Sequence, residues 1–122
     1  MPVKFKEESR IVFIVKEYQR TRDFYEKTVG LCIVSEWDRT KGDRGVVYQL
    51  GSTHLEILEG DISPLTQGFY VYLEVEDIDA LWERLSGTVE IVDAIGTRPW
   101  GHRNFSIKDP NGFTIKFFSR VA

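Results

Sequence analysis

The sequence predicts an α+β fold: two tandem βαβββ modules forming a half-barrel-like curved sheet with helices on its outer face. Three observations point there. Two short segments carry helical apolar spacing, and eight carry strand-like alternation between turn residues. The second half also repeats the pattern of the first at an offset of sixty residues.

In strand 10–15, Ile11, Phe13 and Val15 alternate with Arg10, Val12 and Ile14. A helix over about 19–28 follows. Tyr18, Phe24, Tyr25 and Val29 form its apolar side, and Gly30 stops it. Strands 31–37, 45–50 and 53–59 complete module one, about 8–59, with breaks at Gly42, Gly45 and Gly51-Ser52. The linker 60–68 carries Gly60, Pro64 and Gly68. Module two, about 69–120, opens with strand 69–75. Its helix has Asp77 as N-cap, an apolar stripe of Ile78, Leu81, Trp82 and Leu85, and Gly87 beyond its end. Strands 88–92, 102–107 and 113–119 follow. Asp109-Pro110-Asn111-Gly112 is a tight turn, with Pro presetting φ and Gly accepting φ > 0.

The offset places Val15-Lys16-Glu17-Tyr18 on Val75-Glu76-Asp77-Ile78, each opening a helix. It places His54-Leu55-Glu56-Ile57-Leu58 on Thr114-Ile115-Lys116-Phe117-Phe118. Strand parity then assigns two faces. Ile11, Phe13, Val15, Leu55, Ile57, Val71, Leu73, Val75, Ile115 and Phe117 pack on helices. Arg10, Val12, Ile14, His54, Glu56, Leu58, Tyr70, Tyr72, Glu74, Thr114, Lys116 and Phe118 form the other face. Its mixture of charge, phenol and apolar groups suits a concave, ligand-holding surface; a partly wet barrel interior with salt bridges is the alternative.

A chain of 122 residues is one domain, able to bury roughly two thirds of its unfolded surface without staples. Its single cysteine excludes an internal disulfide and a Cys-based zinc or iron–sulfur site. Net charge −3 lacks the basic footprint of a nucleic-acid binder. The longest strongly apolar run, residues 11–15, is far short of a membrane span, and residues 1–10 have no signal-peptide pattern. The expectation is a cytoplasmic protein without nucleic-acid or membrane partners. Cys32 is expected to be buried and inert, and Glu17, Glu26, Glu83 and Arg84 to be solvated helix residues. No Ser-His-Asp order or phosphate-cradling loop is present.

Asp23-Phe24-Tyr25 followed by Val29-Gly30-Leu31 resembles the first helix of the vicinal oxygen chelate superfamily, which includes glyoxalases, bleomycin resistance proteins and extradiol dioxygenases. Pro99-Trp100-Gly101-His102-Arg103-Asn104-Phe105, with Asp109-Pro110-Asn111-Gly112, resembles the bleomycin resistance subgroup most, as does Val71-Tyr72-Leu73-Glu74-Val75. The resemblance covers about residues 8–119. It implies a homodimer whose ligand cavities lie near the subunit interface. It also implies four metal-ligand positions, filled here by Arg10, Glu56, Tyr70 and Lys116. Only Glu56 is a good ligand: Arg has no lone pair to give, and protonated Lys repels a dication. The expectation is therefore no metal and no cofactor, with Arg10 or Lys116 paired to Glu56.

Trp37, Tyr72 and Trp100 are candidates for stacking a flat ligand. Trp37 alternatively ends a core strand ahead of a hydrophilic loop at 38–44, and Trp100 alternatively anchors a dimer. Trp82 belongs to the core. Arg10, His54, Glu56, Tyr70, His102 and Lys116 would supply polar contacts. His54 and Glu56 share a face and, with His102 or Glu74, are the alternative irregular metal site. The resemblance then implies a metal-free protein that binds and sequesters a small, possibly aromatic molecule and does no chemistry. The alternatives are a metal-dependent lyase, isomerase or dioxygenase with displaced ligands, and a non-enzymatic interaction domain.

Overall fold

The computed structural model describes residues 2–40, 42–63 and 65–121. Pro64 of the linker and Lys41 of the 38–44 segment lie outside them. The elements are β1 (Arg10–Val15), α1 (Tyr18–Asp23), a π-helical turn (Phe24–Val29), β2 (Ile33–Thr40), β3 (Asp43–Leu50) and β4 (Thr53–Glu59). They continue with β5 (Val71–Glu74), α2 (Ile78–Leu85), β6 (Glu90–Thr97), β7 (His102–Lys108) and β8 (Thr114–Arg120). This is βαβββ twice.

The strands form two four-stranded sheets, ordered β1-β4-β3-β2 and β5-β8-β7-β6. In each, the first strand pairs parallel to the last, and the remaining pairs are antiparallel. The repeat is visible in the register. Val12 pairs with Glu56 and Tyr72 with Lys116; Phe13 pairs with Ile57 and Leu73 with Phe117. Each pair recurs at the offset of sixty.

One core joins the modules. Phe13, Val15, Leu55 and Ile57 of the first sheet are buried with Phe105, Ile107, Ile115 and Phe117 of the second. Burial of one such side chain contributes about 1.5–3 kcal/mol. Phe13 stacks on Phe113 at 4.0 Å across the module boundary. The parity reading of the core face thus holds, and Trp82 packs edge-on against buried Phe105.

Two local details depart from the sequence reading. The first helix is α only to Asp23 and then widens into the π turn. Gly30 and Leu31 N–H both donate to the Tyr25 carbonyl, and Gly30 takes φ 93°, a conformation that favours glycine. Residues 38–40 and 43–44 are paired strand rather than loop: Asp38 pairs with Arg44 and Thr40 with Asp43 between β2 and β3, Arg39 meets Asp43 at 3.1 Å, and Gly42 N–H donates to Glu59 at 2.7 Å. Strand β6 runs to Thr97, beyond the expected 92, while β5 starts at Val71 and leaves Tyr70 just outside it. The second helix follows expectation: Asp77 Oδ1 accepts from Ala80 N–H at 3.1 Å, a cap contributing about 1 kcal/mol.

Candidate functional site

The face of each sheet turned away from the core carries the candidates in two clusters. On the first sheet, Arg10 Nη1 bonds Glu56 Oε1 at 2.5 Å, while Arg10 Nε and Nη2 hold Glu8 Oε1 at 2.9 and 2.8 Å. Glu8, unnoticed in the sequence, therefore sits between Arg10 and His54. Hydrogen bonding to Arg10 holds its carboxyl below the usual carboxylate range. Bonding to Glu56 and Glu8 raises the Arg10 guanidinium. His54 Nε2 shares a hydrogen bond of 3.0 Å with Gln49 Oε1. Its Nδ1 lies 3.5 Å from Glu8 Oε1, which counts as charge proximity but not as a hydrogen bond, so this buried nitrogen lacks a hydrogen-bond partner. Trp37 lies flat over Gly45: a Cβ there would fall 2.1 Å from its ring. Gly45 is thus a strand residue of β3, and its missing side chain makes room for the indole.

On the second sheet, an aromatic stack replaces the ion pair. Tyr72 stacks on Phe118 at 4.4 Å and His102 stacks on Phe118 at 4.2 Å, with interplanar angles of 15° and 14°. Tyr72 Oη and His102 Nδ1 share a hydrogen bond of 2.6 Å. Tyr70 meets Tyr72 edge-on, and Lys116 Nζ sits 4.9 Å from the centre of the Tyr70 ring, a cation–π contact. The expected choice between Arg10 and Lys116 as partner of Glu56 thus falls to Arg10. Strand order explains it: β1 is hydrogen-bonded beside β4, whereas Lys116 belongs to the other sheet.

The four positions of the implied metal set therefore form two pairs on two sheets. Their chemistry does not fit a divalent metal, since the one carboxylate among them is engaged by a guanidinium. The irregular set is also not assembled. His54 and Glu56 are on the first sheet, His102 is on the second, and Glu74 pairs with Arg120 at 3.1 Å. Among the described residues no three His, Cys, Asp or Glu side chains gather in a metal-binding group.

Trp100 lies in the turn before β7, 62% exposed, and joins neither cluster through a ring contact among the described residues. Cys32 is exposed, contrary to expectation. It precedes β2, and only its carbonyl is tied down, by Gln49 N–H at 3.0 Å. Glu26 and Arg84 are likewise more than solvated helix residues. Glu26 binds Arg22 and the buried Tyr48 hydroxyl, both at 2.6 Å. Arg84 donates to the Thr28 and Val29 carbonyls, fastening α2 to the end of the first helix.

An open cleft of about 940 Å³ runs between the modules, floored by Leu31, Leu73, Val75 and Leu81. Among the sequence candidates it takes in Tyr72 and Glu74. Its rim cations are engaged within the chain, Arg84 by the two carbonyls and Arg120 by Glu74. The two sheet faces, not this cleft, gather the remaining candidates apart from Trp100.

The model of the Glyoxalase family, described as the Glyoxalase/Bleomycin resistance protein/Dioxygenase superfamily, matches residues 9–117. The chain belongs to this superfamily. Solved structures share the fold of this superfamily member at low identity. A protein of unknown function from Agrobacterium tumefaciens superposes with a TM-score of 0.77 at 22% identity, covering 99% of this chain and 97% of the other. A glyoxalase/bleomycin resistance protein/dioxygenase from Nocardioides gives 0.75 at 17%, covering 98% and 87%. The fosfomycin resistance protein FosX from Listeria monocytogenes gives 0.74 at 17%, covering 98% and 94%. None of the curated proteins matches the sequence. No described helix is long and apolar enough to cross a membrane.

Proposed function

We propose that this superfamily member is a metal-free, small-molecule binding protein of the bleomycin resistance type, which sequesters a flat, partly aromatic compound without transforming it. The observation that carries this reading is the half-buried Tyr72 and His102 rings stacked over buried Phe118, aromatic surface beside polar groups, paired with the Arg10–Glu56 ion pair where a metal donor set would otherwise stand. Trp37, Tyr70, Tyr72 and Trp100 offer ring surface; Arg10, His54, Glu56, His102 and Lys116 offer charge and hydrogen bonds. The protein works in the cytoplasm, where a lone thiol stays reduced.

A homodimer completes the site in this reading. Val12, Ile14, Val34, Phe69, Tyr70 and Trp100 are exposed. All but Phe69, which packs against core Phe113, lie on or beside the open faces, and exposed apolar groups gathered in this way mark interaction surfaces. A second copy would cover them and bring the first sheet of one protomer to the second sheet of its partner.

The test couples two measurements on the purified protein. Elemental analysis is expected to find no stoichiometric divalent ion, and one tightly held ion per chain overturns the metal-free reading. A thermal-shift screen with glycopeptide, quinone and other aromatic drugs is expected to raise Tm, because a ligand of the folded state alone stabilises it. Absence of any shift across the screen would favour an interaction domain instead.

A further inference from the structure

Strand β7 carries a polar group that none of the foregoing uses. Asn104 is 1% exposed, and parity puts its side chain on the open face, since its neighbour Phe105 is in the core. In register it lies between Gly96 of β6 and Phe118 of β8. Arg98 Nε donates to Asn104 Oδ1 at 2.8 Å, which fixes the orientation of the amide. Asn104 Nδ2 is then a buried donor without an acceptor. Such a group costs about 1–3 kcal/mol when left unmade.

Arg98 itself is half-satisfied. Nη2 donates to the Ala94 carbonyl at 2.9 Å, and Nη1 has no acceptor among the described residues. No carboxylate of the described residues lies within 4 Å of the guanidinium, whereas Arg10, Arg22, Arg39, Arg44, Arg103 and Arg120 all have one. The guanidinium lies over Gly96, where a Cβ would come 3.1 Å from Nη1. The glycine leaves room for it. Neighbouring charge is mixed. Lys116 pairs in register with Ser106, whose hydroxyl is taken by Asp93 at 2.9 Å; Arg120 sits 5.8 Å from the Phe118 ring and is paired with Glu74.

We infer that Arg98 and Asn104 form an oxyanion subsite at the edge of the Tyr72–Phe118–His102 stack, and that the ligand is a planar aromatic carboxylate. Tyr72 and His102, stacked over buried Phe118, take the aromatic body. Arg98 Nη1 donates to a carboxylate oxygen, and buried Asn104, through Oδ1, holds the guanidinium in place for it. Charge-assisted bonds of this kind are about twice as strong as neutral ones. The inference rests on the open-face reading above and narrows its ligand class.

Naphthoate and its neutral isostere naphthamide, titrated by calorimetry, test it. The acid is expected to bind about tenfold or more tightly than the amide, the worth of one charged hydrogen bond. Arg98→Gln should abolish that preference, and Arg98→Lys, which keeps the charge, should retain part of it. Gly96→Ala, which displaces the guanidinium without removing it, should weaken the acid and leave the amide unchanged. Equal binding of acid and amide, with both lost in Tyr72→Ala, overturns the subsite and leaves the open-face reading standing. Preference for the acid unchanged in a folded Arg98→Gln also overturns it. Failure of both probes to bind the native protein overturns the subsite together with the aromatic platform.

Discussion

The Tyr25 hydroxyl donates to Asp109 Oδ2 at 2.7 Å, joining the first module's helical turn to the β7–β8 turn of the second across 84 residues of chain. The same carboxylate accepts the backbone N–H groups of Asn111 and Phe113 at 2.8 and 2.9 Å, so it organises its own turn while anchoring the other module. Asn111 Nδ2 adds a bond to Thr21 Oγ1 at 3.0 Å. The Asp-Pro-Asn-Gly tetrapeptide is therefore both a turn and a clasp.

Removing the hydroxyl with Tyr25→Phe leaves Asp109 its backbone donors but deletes the bond between modules. The expected loss is about 1.5–3 kcal/mol, the range for a hydrogen bond to a charged group. Urea unfolding measures it. An unchanged midpoint would show that the clasp contributes nothing net.

Gly45→Ala places a Cβ in the space of the Trp37 indole. Overpacking of this kind costs about 1–3 kcal/mol. The indole must move, so a shift in tryptophan emission should accompany the lower stability. Native emission and stability in the variant would contradict the contact.

Stability should fall at both ends of the pH scale. Burial would raise the Glu26 carboxyl, but Arg22 and Tyr48 outweigh it and hold it below its ordinary value. A depressed carboxyl contributes stability that is full above the unfolded pKa of about 4.3 and is lost as pH falls through the folded value. Glu26→Gln should flatten that acid limb. Burial raises the phenols of Tyr18, Tyr25 and Tyr48, with Asp109 adding to the effect at Tyr25 and Glu26 at Tyr48. Raised groups contribute stability that is full below the unfolded value near 10 and is lost as pH rises toward the folded value. Spectrophotometric titration should find these tyrosines ionising together with alkaline unfolding. Ionisation near 10 in the folded state would contradict their burial.

If a second copy covers the open faces, sedimentation should report a dimer at micromolar concentration. Val12→Glu or Ile14→Glu would bury a charge at that interface and should shift the equilibrium strongly toward monomer while the circular dichroism is kept. A native chain that sediments as a monomer would remove the intersubunit site.

Much of the architecture was legible along the chain. Alternation, the Asp77 cap, the stop at Gly30 and the offset of sixty each report local backbone chemistry, and local chemistry is written in neighbouring residues. Parity separated Phe13 and Ile57 from Val12 and Glu56 correctly because a strand turns successive side chains to opposite faces. The resemblance carried the superfamily, and the chemistry of Arg10, Tyr70 and Lys116 argued against a metal set before any distance was known.

Contacts between distant strands and turns had no such signature. Which cation meets Glu56 depended on sheet order, which puts β1 and not β8 beside β4. Glu8 joined Arg10 and His54 through side-chain reach, and Glu26 and Arg84 found partners 22 and about 55 residues away. Cys32 is exposed because it adjoins β2, an edge strand whose residues Ile33 to Glu36 are themselves exposed. Periodicity reads one residue against its near neighbours; these partners are set by packing of strands far apart in sequence, and only the folded chain brings them within hydrogen-bond range.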